Sequence, residues 1–134
     1  MTSIDPEGPA AASPADLPTD VLVVEDDPLI ALDASETIRA FGVASVRTAG
    51  SVAGASRLIA ERAPDFVLLD VGLIREKSFA VAEQLETLKI PFVFVTGYSG
   101  DGRIPARFAH IAVLAKPYLR DALLDALRGW RTQR

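Results

Sequence analysis

Three acids close the run VLVVEDD at residues 21–27: Glu25, Asp26 and Asp27. A fourth, Asp70, ends the apolar stretch FVLLDVG, Thr96 sits in FVFVTGY, and Lys116 in VLAKPY. Carboxylates at the end of a buried strand repel one another. Two unit charges ~4 Å apart at an effective dielectric near 20 cost ~4 kcal/mol. A hard divalent cation removes that cost, and Mg²⁺ prefers oxygen ligands, keeps several waters and is held by one or two carboxylates together with phosphate oxygens. An acid beside such an ion, with a hydroxyl and an ammonium nearby, has the parts for phosphoryl transfer. Asp70 is the candidate nucleophile forming an acyl phosphate. Lys116 and the ion are positioned to neutralise the transferring oxygens, and Thr96 to donate a hydrogen bond to one of them. The chain has no Cys and a single His, His110, distant in sequence from these residues, so the composition argues against zinc.

The argument requires elements that bring these residues to one rim. Apolar runs at 21–24, 43–49, 66–69, 91–95 and 111–115 are rich in Val, Phe and Ile and apolar on both faces, the pattern of parallel strands covered by helices on two sides. Helical segments are predicted between them. Residues 28–41 begin with Pro28 behind the N-cap Asp27 and stop at Gly42. Residues 51–62 start at Ser51, residues 78–89 start at Ser78, and residues 119–131 place Leu119, Ala122, Leu123, Ala126, Leu127 and Trp130 toward the core. The segment 99–110 contains two Gly and a Pro and is expected to hold at most a short helix near 104–109. Five strand–helix units predict an α/β fold: a doubly wound, flavodoxin-like five-stranded parallel sheet of order 2-1-3-4-5 with helices on both faces. In that order Glu25, Asp26, Asp70, Thr96 and Lys116 all fall at carboxyl ends of strands around the switch point between the first and third strands, where such sheets bind ligands.

The 134 residues suffice for one core, and 49% apolar content marks a globular chain. Residues 1–20, rich in Pro, Ala, Ser and Asp and without periodicity, are expected to form a flexible tail. They hold four of the 18 acids and none of the 14 bases, so residues 21–134 carry equal numbers of each. A neutral body offers no electrostatic case for nucleic acid, and no run is long enough for a membrane span or a secretory signal. The expected location is the cytoplasm.

The residues in VVEDDP, VLLDVG, Thr96 and Lys116-Pro117 resemble those of receiver domains of bacterial two-component response regulators, over residues 21–131. PFVFVTGY (91–98) is similar to the PFxFATGY stretch of receivers that work with HWE-family histidine kinases, with Val95 in place of Ala. The resemblance implies a receiver domain over 21–134, phosphorylated on Asp70 by a sensor histidine kinase in a Mg²⁺-dependent reaction. It implies Mg²⁺ ligation by Asp26, Asp70 and the backbone carbonyl of Gly72, with Glu25 acting through water, Lys116 on the phosphoryl group, and a cis Lys116–Pro117 bond. It implies a histidine phosphotransfer protein or another protein target as partner, and the only implied catalysis is modification of Asp70 and its reversal by hydrolysis. Two departures stand out. The loop VGLIREKSF lacks the Pro common after the acceptor, and Val113 stands where many receivers have an aromatic switch residue, leaving Tyr98 as the nearest candidate for that role. The rival readings are a receiver-like interaction module that no longer takes phosphate, and an aspartate-nucleophile phosphohydrolase. The latter needs a second Asp two residues after the nucleophile, where this chain has Gly72.

Crowded acids make a prediction of their own. Asp26→Asn raises the stability of the protein in chelator and weakens Mg²⁺ binding. Urea midpoints that match wild type at every pH would count against electrostatic crowding.

Overall fold

The computed structural model describes residues 16–72, 79–97 and 104–133, without the side chains of 132 and 133. In chain order it contains β1 (Asp20–Val24), α1 (Pro28–Ala40), β2 (Ser45–Ala49), α2 (Val52–Glu61), β3 (Phe66–Asp70), α3 (Phe79–Leu88), β4 (Phe92–Thr96), a 3-10 turn at Ala106–Phe108, β5 (Val113–Ala115), α4 (Arg120–Arg128) and a closing 3-10 turn at Gly129–Gln133. The sheet is parallel throughout, with order β2-β1-β3-β4-β5, as the alternation of strand and helix patterns predicts.

Strand alternation divides the core into two layers. Val21, Val23, Phe66, Leu68, Val93 and Val95 face Ala34 and Ile38 of α1 and Leu123 and Leu127 of α4. Leu22, Val24, Val67, Leu69, Phe92 and Phe94 face Ala55 and Ile59 of α2 and Val81, Ala82 and Leu85 of α3. Because both faces are covered, β1 and β3 are buried along their whole length, which explains why they read as unbroken apolar runs. Phe108 joins the second layer, its ring 5.7 Å from Phe94 and 6.0 Å from Phe79.

The helix starts follow from local chemistry. Asp27 Oδ1 accepts from the N–H groups of Leu29 (2.9 Å) and Ile30 (3.3 Å), and Pro28 takes the first helical position. Ser51 Oγ accepts from Gly54 N–H at 3.0 Å. Ser78 lies outside the described residues.

The structure differs from the sequence expectation at two ends. The expected tail over 1–20 yields its last residues to the fold. Leu17 is buried in the first layer, and Asp20 opens β1 as a buried acid. Arg47 pairs with Asp20 at 2.7 Å, Arg62 at 3.2 Å, and Ser45 Oγ donates to it at 3.1 Å. Composition assigned Asp20 to the acidic tail, whereas its partners are distant in sequence. At the other end, Leu119 is not part of the buried stripe. The helix starts one residue later, leaving Leu119 extended and 69% exposed.

Lys89 occupies the left-handed region, with φ 60°, just past α3. Its N–H bonds Glu86 O and the Ile90 N–H bonds Leu85 O, with Leu85 and Ile90 packed in the same layer, which is the Schellman arrangement. Glycine adopts this conformation without a Cβ penalty. Lys89→Gly is therefore expected to stabilise the protein by up to ~1 kcal/mol, read as a higher urea midpoint at unchanged slope.

Candidate functional site

Strand register assembles the site. Val24 pairs with Leu69, so the residues following β1 lie beside Asp70 at the end of β3. Asp70 pairs with Val95, and Thr96 with Ala115, which places Thr96 and Lys116 along the same edge. Glu25 N–H bonds Ala49 O at 2.9 Å and Lys116 N–H bonds Thr96 O at 2.8 Å, so both residues are fixed by backbone bonds at the rim.

One carboxylate oxygen from each of Glu25, Asp26 and Asp70 lies within 4.8 Å of the others. Glu25 and Asp70 are almost wholly buried, at 2% and 3% exposure. Lys116 Nζ reaches Glu25 Oε1 at 2.9 Å and Asp70 Oδ2 at 3.3 Å. The remaining oxygens are held by main chain: Asp27 N–H donates to Glu25 Oε2 (3.1 Å) and Gly72 N–H to Asp70 Oδ1 (3.0 Å). The first of these gives Asp27 a second task besides capping α1. The Lys116–Pro117 bond is cis.

Burial dominates the electrostatics. It pushes Glu25 up to about 7, against the hydrogen bonds from Lys116 and Asp27, with the charge of Asp70 adding to the rise. Burial also works against the Lys116 ammonium, but the hydrogen bond to Glu25 and the charges of Asp70 and Glu25 prevail and leave it above its ordinary value. The Tyr118 phenol is pushed up by burial first, then by Glu25 and Asp70.

The structure thus brings together Glu25, Asp26, Asp70 and Lys116, with Gly72 N–H bonded to the Asp70 side chain and Thr96 at the adjoining strand end. Tyr98, expected as the switch residue, lies outside the described residues. His110 stands apart on the surface, paired with Glu86 at 3.0 Å. Tyr118 is the site neighbour that sequence reasoning missed; its only signal was an aromatic two residues after Lys116. The donor set suits a hard divalent cation: it is all carboxylate oxygen, with no sulfur or imidazole among the described residues of the cluster.

Comparison with known proteins agrees with this arrangement. Residues 21–128 match the family model of the response regulator receiver domain. The transcriptional regulatory protein PdtaR of Mycobacterium tuberculosis is 32% identical over 123 residues, covering 90% of this chain and 60% of PdtaR. The phyllosphere-induced regulator PhyR of Methylorubrum extorquens is 30% identical over 107 residues, 78% of this chain and 40% of PhyR. The chain therefore spans 60% or less of the length of either relative. The solution structure of SdrG from Sphingomonas melonis Fr1 superposes with a TM-score of 0.75 at 38% identity, over 87% of this chain and 98% of SdrG. SdrG is also known in a BeF3-activated conformation, which superposes with a TM-score of 0.70 at 40% identity, over 81% of this chain and 92% of that one.

The raised Glu25 carries a pH prediction. Between its ordinary value of 4.5 and about 7, the folded state binds more protons than the unfolded state. This contribution to stability is therefore fully present below 4.5 and is lost as pH rises through about 7. In chelator, the urea midpoint of wild type should decline across that window relative to Glu25→Gln. Parallel curves would refute the assignment.

Proposed function

The chain belongs to the response regulator receiver domain family, and from that premise we propose that Asp70 accepts a phosphoryl group from a phosphohistidine of a sensor histidine kinase. The observation that carries this reading is the Asp70 carboxylate itself. It is buried at a strand end, bonded to Lys116 at 3.3 Å and within 4.8 Å of two further acids. An Asp70 oxygen attacks phosphorus and a P–O bond forms. The P–N bond to the donor imidazole breaks, and that nitrogen keeps the electron pair and takes up a proton. Lys116 carries positive charge toward the transferring oxygens, Gly72 N–H orients the acceptor carboxylate, and the Thr96 hydroxyl is the donor on the neighbouring strand.

Asp26 and Asp70 are the direct ligands in this proposal, with Glu25 through water and Gly72 through its carbonyl. Mg²⁺ held there supplies the divalent charge that offsets the phosphoryl oxygens. The crowding of Glu25, Asp26 and Asp70 supports the ion, and the BeF3-activated conformation of SdrG supports an acceptor that responds to a phosphoryl mimic. The PFVFVTGY stretch supports an HWE-type kinase as donor. A donor of that kind places the reaction in the cytoplasm; among the described residues no helix is long and apolar enough to cross a membrane. The output is a protein contact, with a histidine phosphotransfer protein or another target as the receiving partner.

Intact mass after incubation with Mg²⁺ and acetyl phosphate tests the reading. One added phosphoryl group is expected, absent without Mg²⁺ and absent in Asp70→Asn. No Asp70-dependent addition, either with acetyl phosphate or with a phosphorylated HWE-type kinase, would overturn it in favour of a phosphate-independent interaction module.

A further inference from the structure

Lys116 has to be held where one ammonium spans two carboxylates, yet the chain around it has little hold on the core. β5 is three residues long, and the bond from Lys116 N–H to Thr96 O stands at its end. Across residues 115–121, Ala115, Pro117, Leu119, Arg120 and Asp121 are all exposed. Only Lys116 and Tyr118 are partly buried. The Tyr118 side chain packs against the core layer shared by α1 and α4, and it borders a groove of about 300 Å³ beside Thr37, Ala40 and Leu123. The turn that presents Lys116 is therefore held by the backbone bond of Lys116 to β4 and by the Tyr118 ring after it, with Arg120 stacking on the Phe41 ring at 4.7 Å where α4 begins.

We propose that Tyr118 is a positioning residue for phosphoryl transfer, its ring fixing the turn that holds Lys116 between Glu25 and Asp70. This inference rests on the phosphoacceptor reading of Asp70. Tyr118 need not touch the phosphoryl group; it acts through Lys116. Because the ring does the work, phenylalanine should serve in its place, whereas alanine leaves the turn with no buried side chain beyond Lys116. A displacement of ~1 Å in a charge-bearing group can cost up to ~100-fold in rate.

A double-mutant cycle on the rate of Asp70 phosphorylation by acetyl phosphate and Mg²⁺, followed by intact mass, separates positioning from general damage. Lys116→Met and Tyr118→Ala are each expected to slow phosphorylation by roughly ten- to 100-fold. Tyr118→Phe is expected to stay within about twofold of wild type, and the double variant to be no slower than Lys116→Met alone. Thermal melts check that each variant is folded, and Tyr118→Leu replaces Tyr118→Ala if the latter is not. Multiplying effects in the double variant, or a wild-type rate in folded Tyr118→Ala or Tyr118→Leu, would overturn the inference while leaving Asp70 as acceptor. A wild-type rate in Lys116→Met would overturn it by removing Lys116 from the transfer. Absence of Asp70-dependent phosphorylation in wild type would remove the function and the inference together.

Discussion

The site depends on one constraint: three carboxylates share a rim, and two of them, Glu25 and Asp70, are buried there. Burial alone drives Glu25 toward neutrality, and a single ammonium cannot offset three acids. Lys116 divides its charge between Glu25 and Asp70, while main-chain N–H groups take one further oxygen of each. The ordering of elements serves this arrangement. β1 and β3 must be neighbours for the acids to meet, and β4 and β5 must follow on one side for Lys116 to reach them across the sheet. The sheet order thus sets the electrostatics of the site.

Most of this geometry was legible in the sequence, because periodicity and strand ends are local signals. Unbroken apolar runs with helical patterns between them specify a parallel sheet, and the polar residues that end the first, third, fourth and fifth runs mark the same edge. Asp27 and Ser51 announced their helices through capping chemistry that needs only three or four residues of context. Where the reading departed from the structure, a distant partner decided. Leu17 counts as core only because the first layer reaches it, and the buried Asp20 finds its partners only because Arg47 and Arg62 arrive from β2 and the end of α2. Leu119 matched the apolar stripe of α4 by spacing, but it precedes the first helical residue, so the stripe never turns it inward.

Within the site, residue types were legible and their partnerships were not. Charge and spacing selected Glu25, Asp26, Asp70 and Lys116. Nothing in the sequence said that Lys116 would bridge Glu25 and Asp70, that Asp27 N–H would hold Glu25, or that Gly72 N–H would hold Asp70. Tyr118 escaped notice for a related reason. An aromatic beside a surface turn resembles any other partly buried ring until the exposure of its immediate neighbours shows how few side chains tie the turn to the core.

Charge counting then indicates why such a rim suits a switch. Lys116 offsets only part of the crowding of Glu25, Asp26 and Asp70, and a divalent cation held there would offset the rest. On the proposed reading, phosphorylation replaces the single charge of Asp70 with a group carrying about −1.5 to −2 near neutral pH. The added charge enters a place where little water can screen it, so it has to be met by protein donors or by displacement of its neighbours. Lys116, already shared, has the shortest route to it, and Thr96 is the hydroxyl at the adjoining strand end. Any shift of Lys116 toward the new charge loosens its hold on Glu25, whose own preference for neutrality grows as that partner leaves. The electrostatic consequence of modifying one side chain therefore spreads along the carboxyl edge from β3 to β4 and β5 without requiring a change in the sheet.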